Sequence, residues 1–283
     1  MVASTSVSTL IFAQFEPEFT HFRDEYFSQA CVKTVEYRGV THPVLYNPER
    51  AMLGSVGGMC KGNTGATMAA ILNDERFDLT DALILMTGCA GGPSDKTELG
   101  EIVVCDELID FDMGHHFSPD DVELGEEVFK MFDDFAHMNY FVPGKRFAPA
   151  VEKVLHNFDQ AASGFKLSTG SSITSDNFWH GKTMLRRVNL VTATVQKYHN
   201  SRLHSPFKVS QCEDTAIAQI LKLSGLLDNL VVTRSIVNFV APIDASSAHA
   251  NVANPDDFFD VAHQNCFEIG KNLTSECNAL YSR

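Results

Sequence analysis

The stretch Phe207-Lys208-Val209-Ser210-Gln211-Cys212-Glu213-Asp214-Thr215-Ala216-Ile217-Ala218-Gln219-Ile220 changes its hydrophobic period partway along. It begins as a short apolar run around Phe207 and Val209. Beyond Asp214 its apolar residues, Ala216, Ile217, Ile220 and Leu221, follow helical spacing. The stretch therefore reads as a strand feeding a helix, with two carboxylates at the junction. Two readings of those acids are open here. A helix N-terminus favours negative charge, so Glu213 and Asp214 form an ordinary acidic first turn. Alternatively, they stand at the carboxyl end of a sheet strand, where open α/β sheets place their ligands.

Downstream, Leu230 to Phe239 reads as a last buried strand, with Arg234 inside it. A buried charge requires a partner, which Glu213 or Glu18 can supply. The apolar residues between Asn254 and Leu280 are spaced for a long closing helix. Upstream, Phe165–Ser168 reads as a strand leading into the polar loop 169–181, TGSSITSDNFWHG, which carries the single tryptophan, Trp179. A flat aromatic beside hydroxyls suits stacking on a planar base, or else Trp179 is core. A helix follows to about His199. Ala82–Met86 is a continuous apolar run, the mark of a strand buried on both faces. It is expected to end in a backbone-exposing turn, Thr87-Gly88-Cys89-Ala90-Gly91-Gly92, before a further strand at Leu99–Asp106.

Nearer the start, residues 5–13 read as a strand, and Glu16-Pro17-Glu18 opens a helix with proline at its first position. Residues 32–37 and 43–56 read as meander strands. Ser55–Ala66 is a glycine-rich strand-to-helix turn whose spacing matches neither a phosphate-binding Walker loop nor GxGxxG. In the segment 107–150, Asp110, Asp112, His115 and His116 lie close in sequence. No partner spacing supports a metal site there, so a polar loop over a pocket is expected, and no metal or cofactor. Phe129 to Met138 has the spacing of an amphipathic helix, and Pro149–Phe158 that of another. Alternating buried strands and helices predict an α/β three-layer domain, with residues 1–283 as a single domain.

Composition narrows the function classes. With 283 residues and 44% hydrophobic content, the chain can bury a sizeable core. A net charge of −14 argues against a nucleic-acid or anionic-membrane binder. Seven cysteines without a CxxC pair indicate neither a disulfide framework nor a zinc site. A reducing, cytoplasmic setting is expected. No stretch reaches the roughly 20 apolar residues of a membrane span.

The segments LMTGCAGG (85–92) with LGEIVVCDE (99–107), QCEDTAIA (211–218) and VVTRSIVNF (231–239) together resemble the nucleoside phosphorylase/nucleosidase superfamily. Within it, FDLTDALILMTGCAGG, SDNFWHG and CEDTA are most similar to the branch called purine nucleoside permeases. The resemblance implies a three-layer sandwich around a mixed, partly barrel-like sheet. It also implies site residues. Glu213 matches the carboxylate that grips the ribose hydroxyls, and Cys212 stands where a methionine packs on the sugar. Asn238 matches the residue that hydrogen-bonds the purine. Glu18 matches the carboxylate that activates water in the nucleosidase branch, and Arg234 that branch's buried arginine. Cys89 stands where a serine usually binds the nucleophile, with Ala90 and Gly91 beside it. Ile173, Phe178 and Trp179 are expected to complete the substrate site.

The resemblance leaves three activities to separate: purine nucleoside hydrolysis, phosphorolysis, and non-catalytic nucleoside binding. The superfamily's phosphorylases carry arginines after the first strand and before the TGS turn. Here those neighbourhoods read FAQFEPE and ALILMTG, without arginine. A dianionic phosphate wants bidentate cationic donors, and Glu16 and Glu18 would repel it. Hydrolysis to free base and ribose is the expectation. An asparagine at position 238 can donate to N7 or O6, which points to inosine or guanosine. A homodimer or higher homo-oligomer is expected, with His115-His116-Phe117 placed to reach a neighbouring chain.

Overall fold

The chain was described from a computed structural model, over residues 4–37, 40–117, 128–131, 139–177, 181, 186–189, 193, 205–241 and 256–281. Its strands are β1 (Thr5–Ser6), β2 (Thr9–Ala13), β3 (Cys31–Tyr37), β4 (Val40–Asn47), β5 (Met52–Val56), β6 (Phe77–Asp78), β7 (Leu83–Pro93), β8 (Ile102–Asp110), β9 (Gly114–Phe117), β10 (Val128–Met131), β11 (Tyr140–Phe141), β12 (Leu167–Thr174), β13 (Phe207–Gln211) and β14 (Leu230–Ala241). The helices are α1 (Glu16–Tyr26), α2 (Cys60–Leu72), α3 (Ala148–Asn157), the short α4 (Gln160–Ser163), α5 (Asp214–Leu223) and α6 (Asp256–Tyr281).

The strands that read as continuous apolar runs are central because both of their faces are covered. Alternate residues of a strand point to opposite faces. On β2 and β7, Leu10, Phe12, Ile84 and Met86 pack with Met68 and Ile71 of α2 and Ile217 and Leu221 of α5. Ile11, Ala13, Leu83 and Leu85 face the other way, toward Phe19 and Phe22 of α1, Val154 of α3 and Ile269 and Leu273 of α6. Each fully buried aliphatic or aromatic side chain of this kind contributes about 1.5–3 kcal/mol. The product is a three-layer α/β/α sandwich.

The large sheet runs β11-β8-β12-β13-β7-β2-β5-β4-β3. β14 pairs parallel to β7 and antiparallel to β8. That double pairing closes β8, β12, β13, β7 and β14 into a five-stranded barrel, while β2, β5, β4 and β3 extend as an open wing.

Three readings are corrected. First, Thr87–Gly92 is not a turn, since β7 continues through it to Pro93 and stays paired with β14, with register shifts between Ile236 and Asn238 and between Phe239 and Ala241. Gly88 and Gly92 answer crowding, and none of the segment's glycines has a left-handed φ. A Cβ on Gly92 would lie 2.5 Å from Thr97 Oγ1 and 2.8 Å from the Lys208 carbonyl oxygen. Second, Thr169–Thr174 belongs to strand β12 rather than to a loop. Third, residues 128–131 form a strand, not a helix, paired antiparallel with β9, and 132–138 lie outside the described residues. The helix expected to run to His199 is described only at 186–189 and 193.

Candidate active site

The barrel and the starts of four helices line a cavity of about 330 Å³. Its walls include Gln14, Phe15 and Glu18 from the β2–α1 junction, Cys89 and Ala90 from β7, and Gln211, Cys212 and Glu213 from the β13–α5 junction. Val237 and Asn238 of β14, Met59 and Phe259 complete them. A larger cleft, about 480 Å³, lies beside Lys153, Phe158, Glu268 and Glu276, away from these groups.

Glu18 sits in the cavity because α1 begins at Glu16, with Pro17 in its first turn, just after β2. Only 3% of it is exposed. Its Oε1 accepts a bond from the Cys89 N–H at 2.6 Å and its Oε2 from the Gln14 N–H at 3.0 Å. Gly88 is required for this placement, since a Cβ there would lie 2.5 Å from Glu18 Oε1 and 2.6 Å from Gln14 Oε1. Burial pushes the Glu18 carboxyl up to about 7, against the lowering pull of Arg234 and the two backbone N–H donors. A carboxyl in this range can release and take up a proton near neutrality.

Glu213 stands at the N-cap of α5. Its Oε1 accepts from the Cys60 N–H at 3.1 Å, at the start of α2, and its Oε2 lies 3.4 Å from Arg234 Nη2. Burial raises its proton affinity, opposed by Arg234.

Arg234 is wholly buried. Its main partner is neither of the two carboxylates expected from sequence. Nε and Nη2 donate to Asp214 Oδ1 at 3.1 and 2.5 Å. Glu213 is a longer contact, and Glu18 acts on Arg234 through its field, without a direct hydrogen bond. Nη1 donates to Gln14 Oε1 at 2.7 Å. Burial alone would weaken the guanidinium's hold on its proton, but Asp214, Glu213 and Glu18 together raise it. Asp214 is tied down in turn, since Ser172 Oγ donates to its Oδ2 at 2.6 Å and its N–H reaches Gln211 Oε1 at 2.9 Å. The acidic pair at this helix start thus divides its work: Glu213 faces the cavity, and Asp214 anchors the buried cation.

The other expected residues separate. Cys89, Ala90, Cys212 and Asn238 line the cavity. Gly91 and Ile173 do not, because Gly91 is a β7 pairing position opposite Ser210 and Asn238, and Ile173 is buried in β12. Phe178 and Trp179 lie outside the described residues. His115 is exposed, and the His116 side chain lies outside the described residues. Asp110 and Asp112 bind Lys61, with Nζ at 3.2 Å and 2.7 Å. Among the described residues no group of three His, Cys, Asp or Glu side chains is arranged for a metal ion. The sequence reading missed Gln14 and the apolar wall of Phe15, Met59, Val237 and Phe259. FAQFEPE carried the one available signal, a buried strand ending in a polar residue four positions before Glu18.

A family model described as purine nucleoside permease matches residues 6–140 and 145–279. No curated protein sequence matches the chain. Among solved structures, a 5'-methylthioadenosine/S-adenosylhomocysteine nucleosidase from Neisseria meningitidis is similar, with a TM-score of 0.65 at 17% identity, over 95% of this chain and 98% of that one. The corresponding nucleosidase from Colwellia psychrerythraea, in complex with adenine, gives 0.65 at 19% identity, over 97% and 96%. Futalosine hydrolase of Helicobacter pylori gives 0.64 at 14%, over 95% and 98%. At these identities the likeness establishes the nucleoside phosphorylase/nucleosidase fold.

Proposed function

The chain belongs to the purine nucleoside permease family, and from that premise we propose that it is a purine nucleosidase, hydrolysing the N-glycosidic bond of purine nucleosides to free base and ribose. No helix among the described residues is long and apolar enough to cross a membrane, so the transport implied by the family's label has no helical route in them. The observation that carries the proposal is the pair of buried carboxylates, Glu18 and Glu213, on one apolar-walled cavity with Arg234 behind it. The solved neighbours are named as hydrolytic nucleosidases.

In this reading Glu213 accepts bonds from the ribose hydroxyls, and its charge stabilises the positive charge that grows on the sugar as the C1′–N9 bond breaks. The bonding electron pair leaves with the base. Asn238, at the cavity wall, hydrogen-bonds the departing purine. Glu18 takes a proton from water as the water oxygen bonds C1′. Phosphate is disfavoured as the nucleophile, because the described lining has no lysine or arginine and presents two carboxylates.

The test is product analysis with purified protein and a panel of purine nucleosides, with phosphate absent or in excess. Free ribose without phosphate is the expected product. Ribose 1-phosphate formed only with phosphate, or no product despite binding, would overturn the proposal.

A further inference from the structure

Gln14 has no role in the chemistry above, yet it lies buried beside Glu18 with its amide oxygen held by Arg234. It is 2% exposed. Its Oε1 receives Arg234 Nη1 at 2.7 Å. Arginine is a donor only, so the atom facing it must be the amide oxygen, and the orientation of the amide follows. Nε2 is then a donor on a cavity-lining residue, and it is buried with no hydrogen-bond partner among the described residues. Leaving a buried N–H donor unpaired is costly, so a bound molecule that accepts from it is favoured. Glu18 is adjacent, since the positions of Glu18 Oε1 and Gln14 Oε1 both crowd a Cβ on Gly88.

We propose that Gln14 is a further catalytic residue, whose Nε2–H holds the attacking water beside Glu18. This deepens the nucleosidase reading and rests on it. The water donates one hydrogen to a free lone pair of Glu18 and accepts one from Gln14 Nε2. Its remaining lone pair forms the bond to C1′, the C1′–N9 pair departs with the base, and the donated proton passes to Glu18. Arg234 acts at one remove by fixing the amide's orientation.

The test compares wild type with Gln14→Glu and Gln14→Met. Gln14→Glu keeps an oxygen for Arg234 and removes the donor. Gln14→Met removes the amide at similar length without adding charge. Both are expected to lower kcat by roughly 10–10² with KM within about twofold, and Gln14→Met should leave the acid limb of the pH profile in place. Wild-type kcat in Gln14→Met, or losses appearing in KM and thermal stability instead, would overturn the role of Gln14 while leaving hydrolysis standing. A wild-type protein that releases no base from any purine nucleoside would overturn the nucleosidase reading and this inference with it.

Discussion

Replacing Glu18 with glutamine should change both catalysis and the pH dependence of stability, and the second effect has a definite sign. Burial lifts Glu18 from 4.5 to about 7 in the folded protein. The folded state therefore binds this proton more tightly than the unfolded chain does. Between about pH 4.5 and 7 it holds more protons than the unfolded state, so stability falls as pH rises through that window. At about 1.36 kcal/mol per pH unit the loss is about 3 kcal/mol, complete above pH 7. Glutamine does not titrate and escapes this loss. It has a cost of its own, because Glu18 accepts the Cys89 N–H on one oxygen and the Gln14 N–H on the other. Glutamine offers one oxygen, leaving one N–H facing an amide NH₂ at about 1–3 kcal/mol. The variant should be the less stable protein at pH 5 and equal or more stable at pH 8.5. Urea unfolding across that range measures the difference, expected to rise by about 3 kcal/mol. Activity should fall by roughly 10²–10⁴. In the wild type, kcat/KM should drop about tenfold per pH unit below about 7. A stability difference that stays flat with pH, or activity within tenfold of wild type, would refute the assignment.

Further expectations follow from neighbouring contacts. Gly88→Ala places a Cβ 2.5 Å from Glu18 Oε1 and should cost activity on the order of 10² or more, comparable to removing the base, as read by steady-state kinetics. Asp214→Asn leaves Arg234 without its closest charge and should destabilise the protein by about 3–5 kcal/mol in denaturant titration, the scale of a broken buried ion pair. Asn238→Ala should lower kcat by roughly 10² while raising KM less, because its bond to the base strengthens as charge develops there. A raised KM with unchanged kcat would exclude that role.

The fold was legible wherever burial imposes a local period. Ala82–Met86, Leu230–Phe239 and the helices after Pro17 and Asp214 announce themselves through spacing alone. Gly88 to Gly92 misled because glycine marks both turns and crowded strands, and only the position of Glu18 over Gly88 tells which is meant. Closure of the barrel was illegible from residue patterns, since pairing of β14 with both β7 and β8 is a long-range property. In the site, Glu18 and Glu213 were named from sequence through the family resemblance. Asp214 was hidden by the same helix start, because an acid there looks like dipole chemistry whether or not it binds a buried arginine. Gln14, a neutral amide without a motif, leaves no periodic or charge signal.

The double pairing of β14 has a consequence for biosynthesis. Among the described residues it is the last strand to leave the ribosome, and it carries the guanidinium around which Gln14, Glu213 and Asp214 are arranged. A nascent chain ending before residue 230 has made every other strand of the barrel, yet β7 and β8 each keep an open edge and the acids have no cation between them. Open edges are templates for pairing with other chains. The interval before β14 docks is thus the time at which this polypeptide has neither its arginine among the acids nor these two sheet edges covered, and the two conditions end in a single event.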